Sequence, residues 1–221
     1  MVVKKKFITM TQIDKATIAE MEIIKFPGKI VVVDTESDAE AALGELRKET
    51  VVGFDTETRP SFKKGTSHRV SLVQISTWDT CYLFRLCKIN MIAPVKQLLE
   101  SASLLKIGLS LKDDFLALRR FGSIEPHRYL ELQRYVGVSD IEDMSLQKIY
   151  ALLFGKKISK GQQLSNGEAE SLTPAQQAYA ATDAWACLHI YRALRGESPA
   201  GVYPLVFPVE KHIDEKPFIQ N

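Results

Sequence analysis

The sequence predicts a mixed α/β fold in which one sheet carries helices on both faces. Two apolar strand-like runs, 70–76 and 81–86, are separated only by a short polar turn, which is typical of an antiparallel hairpin. After Pro94, helical and strand-like segments alternate, and the chain from Ser145 onwards is mostly helical in pattern. Antiparallel strands therefore come first, then alternating helices and strands, then helices.

The first half supplies most of the strands. Strands are predicted at 29–34, 50–57, 70–76 and 81–86. Between the first two, Ser37 and Glu40 fit an S-x-x-E capping box, which predicts a helix through about Lys48.

The second half supplies most of the helices. After a helix that follows Pro94, the predicted elements are a strand at 104–110, a helix at 113–122 and a strand at 128–132. Ser145 then caps one helix, and Thr173-Pro174 opens the last, which runs to about Leu194. We expect residues 1–221 to form one domain, with a core at about 25–196 and a surface tail at 197–221.

The composition is that of an ordinary globular protein. The chain has 221 residues, 45% of them hydrophobic, and a formal net charge of +2, which neither indicates nor excludes a nucleic-acid partner. The three scattered cysteines form no disulfide framework or zinc motif and favour a reducing compartment. No secretory signal or membrane-spanning run is visible, so a cytoplasmic location without a membrane partner is expected.

The strand VVGFDTET carries two acids, Asp55 and Glu57, that point to the same side because side chains alternate along a strand. Such a pair is explained by a divalent cation between the carboxylates, or equally by an exposed strand end. An earlier copy of the same triplet, Asp34-Thr35-Glu36, precedes the capping box and is interpreted as the turn into that helix.

Two further stretches contain candidate site residues. In the helix that begins at Pro174, Tyr179 and Asp183 lie one turn apart on one face, among small alanines that allow close approach. In KIGLSLKDDFLALRRFG, Asp113 and Asp114 occupy the first turn of a helix, where acids favour the helix dipole. Taken singly, each pattern also has a purely structural explanation.

Together the motifs FDTET, KIGLSLKDDFLALRRFG and YAATD resemble, in order, those of the DEDD superfamily of 3′-to-5′ exonucleases. The resemblance runs from about Val51 to Leu194 and is to the tyrosine branch (DEDDy), which includes ribonuclease D and the exonuclease domain of the Werner helicase. The histidine branch would place histidine five residues before Asp183, where this chain has Ala178. The resemblance implies a ribonuclease H-like mixed sheet flanked by helices.

The resemblance also implies the site residues. The metal ligands would be Asp55, Glu57, Asp113 and Asp183, holding two Mg²⁺ or Mn²⁺ ions roughly 3.5–4 Å apart. Asp113 is chosen because it stands eight residues before Phe121, with Asp114 as the alternative. Tyr179 would orient the attacking water, and Glu57 would also take part in catalysis.

The expected activity is metal-dependent hydrolysis at nucleic-acid 3′ ends, of DNA or RNA, that releases nucleoside monophosphates. Candidate substrate-binding residues are Thr56, Arg59, Lys160 and Asn166. Relatives usually have tryptophan after Ser-Asn where this chain has Gly167, which predicts looser packing of that loop. The alternative function is a nucleic-acid-binding scaffold that keeps the exonuclease fold without activity.

Overall fold

A seven-stranded sheet with helices on both faces is the centre of this computed structural model, which describes residues 12–58, 69–88, 91–137, 141–159, 171–195 and 216–221. The helices are α1 Lys15–Ala19, α2 Glu36–Leu46, α3 Ile92–Leu99, α4 Leu111–Leu118, α5 Leu132–Val136, α6 Leu146–Phe154 and α7 Pro174–Leu194. The strands are β1 Glu22–Ile24, β2 Lys29–Val33, β3 Val51–Thr58, β4 Val70–Ser76, β5 Thr80–Arg85, β6 Leu105–Gly108, β7 Tyr129–Glu131, β8 Lys156–Ile158 and β9 Ile219–Gln220.

The sheet is mixed, as predicted. Its strand order is β2-β5-β4-β3-β6-β7-β9. Strands β3, β4 and β5 are antiparallel neighbours, whereas β6 and β7 run parallel to β3. The carboxyl ends of β3, β6 and β7 therefore meet at one edge of the sheet, which is where α/β proteins place their sites.

The two faces of the sheet are covered by different helices. Helices α6 and α7 share one apolar core with the sheet, and α2, α3 and α4 share the other. This arrangement confirms the prediction of helices on both faces. Among the helices that the structure describes, none is both long enough and apolar enough to span a bilayer.

Helix α7 begins as the sequence predicts. Thr173 accepts a hydrogen bond from the Gln176 backbone N–H, and the Gln176 side chain accepts one from the Thr173 N–H, which completes a capping box. Pro174 occupies the first turn, where its missing N–H costs nothing. The long axis of α7 then crosses the sheet with most of its residues buried.

Helix α2 begins two residues earlier than predicted. Its N-cap is Thr35, not Ser37, since the Thr35 hydroxyl accepts from the Asp38 backbone N–H at 3.1 Å. The interpretation of Asp34-Thr35-Glu36 as the turn into this helix is confirmed. Helix α4 likewise starts at Leu111 rather than at 113, and its last turn is a short 3₁₀ segment that ends before Gly122.

Three strand pairings were not predicted. β2 runs parallel to β5, although the strands of the first half of the chain are expected to be antiparallel. β1 and β8 form a separate two-stranded parallel sheet, although residues 156–158 had been expected in a helical region. β9, at the end of the predicted surface tail, pairs with β7 and extends the main sheet, so these last residues belong to the fold. Residues 197–215 and Gly167 lie outside the described residues.

Candidate active site

Three acidic side chains from distant parts of the chain meet at the carboxyl end of β3. Asp55 and Glu57 come from β3, and Asp183 comes from the face of α7 that packs on that strand. Their ligand oxygens lie within 4.8 Å of one another. The structure therefore brings together three of the four carboxylates expected from the sequence.

The close packing of α7 on β3 depends on Gly53, which sequence reasoning missed. A Cβ atom at this position would overlap the backbone carbonyl of Ala184, the residue that follows Asp183. Gly53 and the alanine together let the helix backbone lie directly against the strand. The signal in the sequence is the glycine itself, two residues before Asp55 and on the same side of the strand.

The fourth carboxylate near the cluster is Asp114, and the choice of Asp113 does not agree with the geometry. Asp114 is partly buried, and its Oδ1 accepts a 2.5 Å hydrogen bond from the Thr56 hydroxyl of β3. Asp113 is exposed on the outer side of α4. The structure thus supports the alternative that the sequence left open.

The phase of α4 explains why Asp114 turns inward. The buried residues of this helix are Leu111, Phe115 and Leu118, at the spacing of one helical face. Asp114 lies three residues after the first and four before the last, so it belongs to the same face. This periodicity is a sequence signal that favours Asp114 over Asp113, whereas the spacing from Phe121 favours Asp113.

Crowding of the carboxylates changes their acidity. Burial, followed by the negative charges of Asp183, Asp114 and Glu57, raises the pKa of Asp55 well above its usual value. Burial alone raises the pKa of Glu57 to about 7. Proteins seldom bury several carboxylates this close together unless a positive group offsets their mutual repulsion.

The other two carboxylates are perturbed in the same direction. Burial is the main cause that raises the pKa of Asp114 to about 7, with nearby Glu131 adding to it and the Thr56 hydroxyl opposing it. Burial and the charge of Glu57 raise the pKa of Asp183 to about 7, while a hydrogen bond from Tyr179 opposes the shift.

The donor set fits a hard divalent cation. Asp55, Glu57 and Asp183 offer only carboxylate oxygens, the ligands preferred by Mg²⁺ and Mn²⁺. The second oxygen of Asp114, Oδ2, is buried and has no hydrogen-bond partner among the described residues. An unpaired buried carboxylate oxygen beside three others is explained by a positive ligand.

Tyr179 is next to the cluster, one turn before Asp183. Its hydroxyl hydrogen-bonds the Asp183 carboxylate, and burial together with the surrounding negative charges raises the pKa of the phenol. The phenol therefore keeps its proton at neutral pH. Its chemistry at this position is to donate and orient, not to remove protons.

The candidate substrate-binding residues are only partly described. The Thr56 side chain is used within the site, since it donates to Asp114, and its contact with a substrate stays a prediction. Arg59, Lys160 and Asn166 lie outside the described residues. Two neighbouring lysines have partners within the fold: Lys156 pairs with Glu22 at 3.2 Å, and Lys157 donates to the Ala19 carbonyl.

Comparison with known proteins agrees with this geometry. A family model described as "3'-5' exonuclease" matches residues 30–198. A mouse protein, the bifunctional 3'-5' exonuclease/ATP-dependent helicase WRN, is 32% identical over 184 residues, which cover 79% of this chain and 13% of the mouse protein. The chain thus corresponds to a small part of that relative.

Solved structures give the same fold. The Nibbler EXO domain of Aedes aegypti has a TM-score of 0.63 at 27% identity, covering 73% of this chain and 85% of that one. Escherichia coli RNase D, described as an exoribonuclease involved in structured RNA processing, has a TM-score of 0.65 at 20% identity, over 74% of this chain and 43% of that one. At that identity the second likeness shows the fold, which is the predicted ribonuclease H-like sheet. With a family match across most of its length and acids gathered where β3 meets α7, the chain belongs to the 3′-5′ exonuclease family.

Proposed function

We propose that this chain is an active, metal-dependent 3′-to-5′ exonuclease of the tyrosine branch. The observation that carries the proposal is the convergence of Asp55, Glu57 and Asp183 within 4.8 Å, beside a buried and unpaired oxygen of Asp114. A scaffold without activity would have no reason to keep four carboxylates whose mutual repulsion opposes folding.

Asp55, Glu57, Asp114 and Asp183 would hold two Mg²⁺ or Mn²⁺ ions. When bound, such ions acidify a water molecule and stabilise the leaving oxygen of a phosphodiester. Asp55, which lies between Glu57 on its own strand and Asp183 from α7, would be a ligand in this set. Asp114, which accepts from Thr56 through Oδ1, would add its unpaired Oδ2 to the ligand set.

The reaction is hydrolysis of the last phosphodiester bond at a 3′ end. Water adds to phosphorus, the bond from phosphorus to the 3′ oxygen of the preceding nucleotide breaks, and that oxygen takes a proton. The products are a nucleoside 5′-monophosphate and a strand that is one nucleotide shorter with a free 3′ hydroxyl. Because only a terminal nucleotide is released, the substrate is DNA or RNA with a free 3′ end.

Tyr179 orients the reactants in this proposal. The raised pKa of its phenol keeps the Oη proton in place, and the hydroxyl is anchored by Asp183. Tyr179→Phe should therefore slow turnover about a hundredfold, since positioning contributes on this scale, and leave the Mn²⁺ dissociation constant within about threefold. Single-turnover kinetics and Mn²⁺ calorimetry separate the two quantities, and an unchanged turnover rate would refute this role.

The proposal is tested with oligonucleotides of DNA and RNA, single-stranded and recessed, labelled at either end. Each is incubated with protein and Mg²⁺ or Mn²⁺, beside an Asp183→Asn variant. Release of mononucleotides from 3′ ends only, absent in the variant, is the expected result. Binding of the oligonucleotides without cleavage under any of these conditions would instead support the inactive scaffold.

A further inference from the structure

We propose that Glu131 is a positioning residue that holds Asp114 in the site by fixing the start of α4. Glu131 is the last residue of β7 and is only 7% exposed. Its Oε1 accepts a hydrogen bond from the Ser110 backbone N–H at 2.9 Å, and its Oε2 accepts one from the Leu111 N–H at 2.8 Å. The carboxylate thus binds the N–H groups of the N-cap residue and of the first residue of the helix that carries Asp114. This inference rests on the proposed metal-dependent function.

The N-terminus of α4 is capped by a side chain from another element of the fold, Glu131 of β7. Its N-cap residue, Ser110, has a φ of 66°, in the left-handed region that non-glycine residues rarely adopt, and its side chain makes no capping hydrogen bond. The N–H groups of a first helical turn have no partner within the helix and need an acceptor. Glu131 supplies both oxygens from the neighbouring strand, and its negative charge also favours the positive end of the helix.

A short chain of contacts joins Glu131 to Asp114. The Ser110 carbonyl, next to the bonded N–H, accepts from the Asp113 N–H at 2.9 Å and the Asp114 N–H at 3.4 Å. The Asp114 carboxylate is then held at its other end by Thr56 of β3. Glu131 itself is fixed by a bond from the Gln133 N–H at 3.3 Å and by the register of β7 with β6, in which it stands beside Gly108.

The charge of Glu131 provides a way to separate positioning from electrostatics. The negative charge of Glu131 would attract a cation to the site whether or not the residue fixes the helix start, so Glu131→Gln alone does not separate the two roles. If Glu131 acted through charge alone, Glu131→Asp, which keeps the charge, would leave metal binding unchanged. Positioning predicts weaker binding in both variants, because glutamine has one acceptor oxygen for the two N–H groups at the helix start and aspartate is too short to reach both.

The experiment measures Mn²⁺ binding by calorimetry for the wild type, Glu131→Gln, Glu131→Asp, Asp114→Asn and the double variant Glu131→Gln/Asp114→Asn. Glu131→Gln should raise the Mn²⁺ dissociation constant roughly ten- to hundredfold, while the far-UV circular dichroism stays that of a folded protein. In the Asp114→Asn background, Glu131→Gln should cause no further weakening, although it should still lower the melting temperature. Glu125→Gln, a change at an exposed acid, is the control and should change neither quantity.

Three outcomes would overturn the inference. Equal Mn²⁺ affinity in the wild type and Glu131→Gln would leave Glu131 as a fold-stabilising residue only, with the proposed function intact. Equal weakening by Glu131→Gln with and without Asp114 would show that it does not act through Asp114. Absence of Mn²⁺ binding in the wild type would overturn the proposed function and this inference together. If Glu131→Gln does not fold, Glu131→Asp, which keeps the charge but is too short to reach both N–H groups, serves for the same comparison.

Discussion

The tripeptide Asp-Thr-Glu occurs twice in this chain, at 34–36 and 55–57, and the two copies have different surroundings. In the first copy, Asp34 pairs with the buried Arg85 at 3.3 Å, Thr35 caps α2, and Glu36 opens that helix. In the second, the acids lie within a strand that α7 covers.

The contrast shows that the sequence of the triplet does not decide its function. In the first copy a helix begins directly after Thr35, so the two acids point apart: Asp34 pairs with Arg85, and Glu36 is exposed. In the second, the chain stays extended, and Gly53 lets Asp183 approach the same side of the strand. What gathers a third carboxylate at the second copy is the packing of a helix from more than a hundred residues later in the chain.

The largest expected difference between the copies is in activity. Asp55→Asn should reduce nuclease activity by more than about a thousandfold, equivalent to about 4 kcal/mol of barrier. It should also raise the melting temperature of the metal-free protein, because a buried like charge is removed. Activity is read as mononucleotide release, and stability by thermal unfolding in EDTA.

Asp34→Asn should show the reverse behaviour. It weakens the ion pair with Arg85 and should lower the melting temperature while activity stays within about twofold of the wild type. A variant pair in which both changes affect activity alike would contradict the distinction between the two copies.

The next largest effect concerns Gly53, which allows α7 to pack against the strand of the second copy. Gly53→Ala forces α7 away from β3 and should cost about 1–3 kcal/mol of unfolding free energy, together with much of the Mn²⁺ affinity. Gly44→Ala, in the last turn of α2 with nothing near the added methyl group, should instead stabilise the protein by roughly 0.5–1 kcal/mol. Urea unfolding of both variants gives the comparison; equal effects would refute the close-approach argument.

The pH dependence of stability should also reflect the second copy. In the metal-free protein, the pKa values of Glu57, Asp114 and Asp183 are about 7, whereas carboxyl groups in the unfolded chain titrate near 4. Between these values the folded state retains protons that the unfolded state releases, so stability falls as pH rises from about 4 to about 7. Mn²⁺ should therefore raise the melting temperature more at pH 8 than at pH 6.

The control for this prediction is Asp183→Asn. Removing one of the three titrating groups should reduce the fall in melting temperature between pH 5 and pH 8 in EDTA. A metal-free wild type whose pH dependence matches that of the variant would show that these carboxylates are not protonated through burial.

The smallest expected effects distinguish Thr35 of the first copy from Thr56 of the second. Thr35→Val removes the cap of α2, and Thr56→Val removes the hydrogen bond to Asp114, so each should cost about 1 kcal/mol of unfolding free energy. Only Thr56→Val should weaken Mn²⁺ binding, since the Thr56 hydroxyl favours the charged form of Asp114. Similar Mn²⁺ affinities in the two variants would contradict this assignment.

Sequence patterns predicted the elements whose signals are local. The apolar run at 70–76 beside a polar turn and the capping box at Thr173 predicted β4 and α7 with the observed bounds. The spacing of Asp55 and Glu57 likewise placed both acids on one side of β3.

Features set by distant contacts were missed or misplaced. The short strands β1 and β8 have no alternation long enough to recognise, and each is extended because it pairs with the other. The spacing from Phe121 favours Asp113, whereas the helical period of α4 and the contact with Thr56 in another element both favour Asp114. Glu131 has no sequence signal for its role, because its two bonds to the start of α4 go to backbone N–H groups that follow the neighbouring parallel strand.

The pairing of β9 with β7 has a practical consequence for handling the protein. Ile219 and Gln220 cover the outer side of β7, Tyr129 donates to the Gln220 side chain at 2.9 Å, and Phe218 lies against Tyr135. Proteolytic loss of residues 216–221 would leave β7 as a bare edge with apolar side chains beside it, a template on which a second molecule can add its own strand. Aggregation during purification would then begin at the strand that holds Glu131, so intact mass should be verified before any loss of activity is attributed to the site.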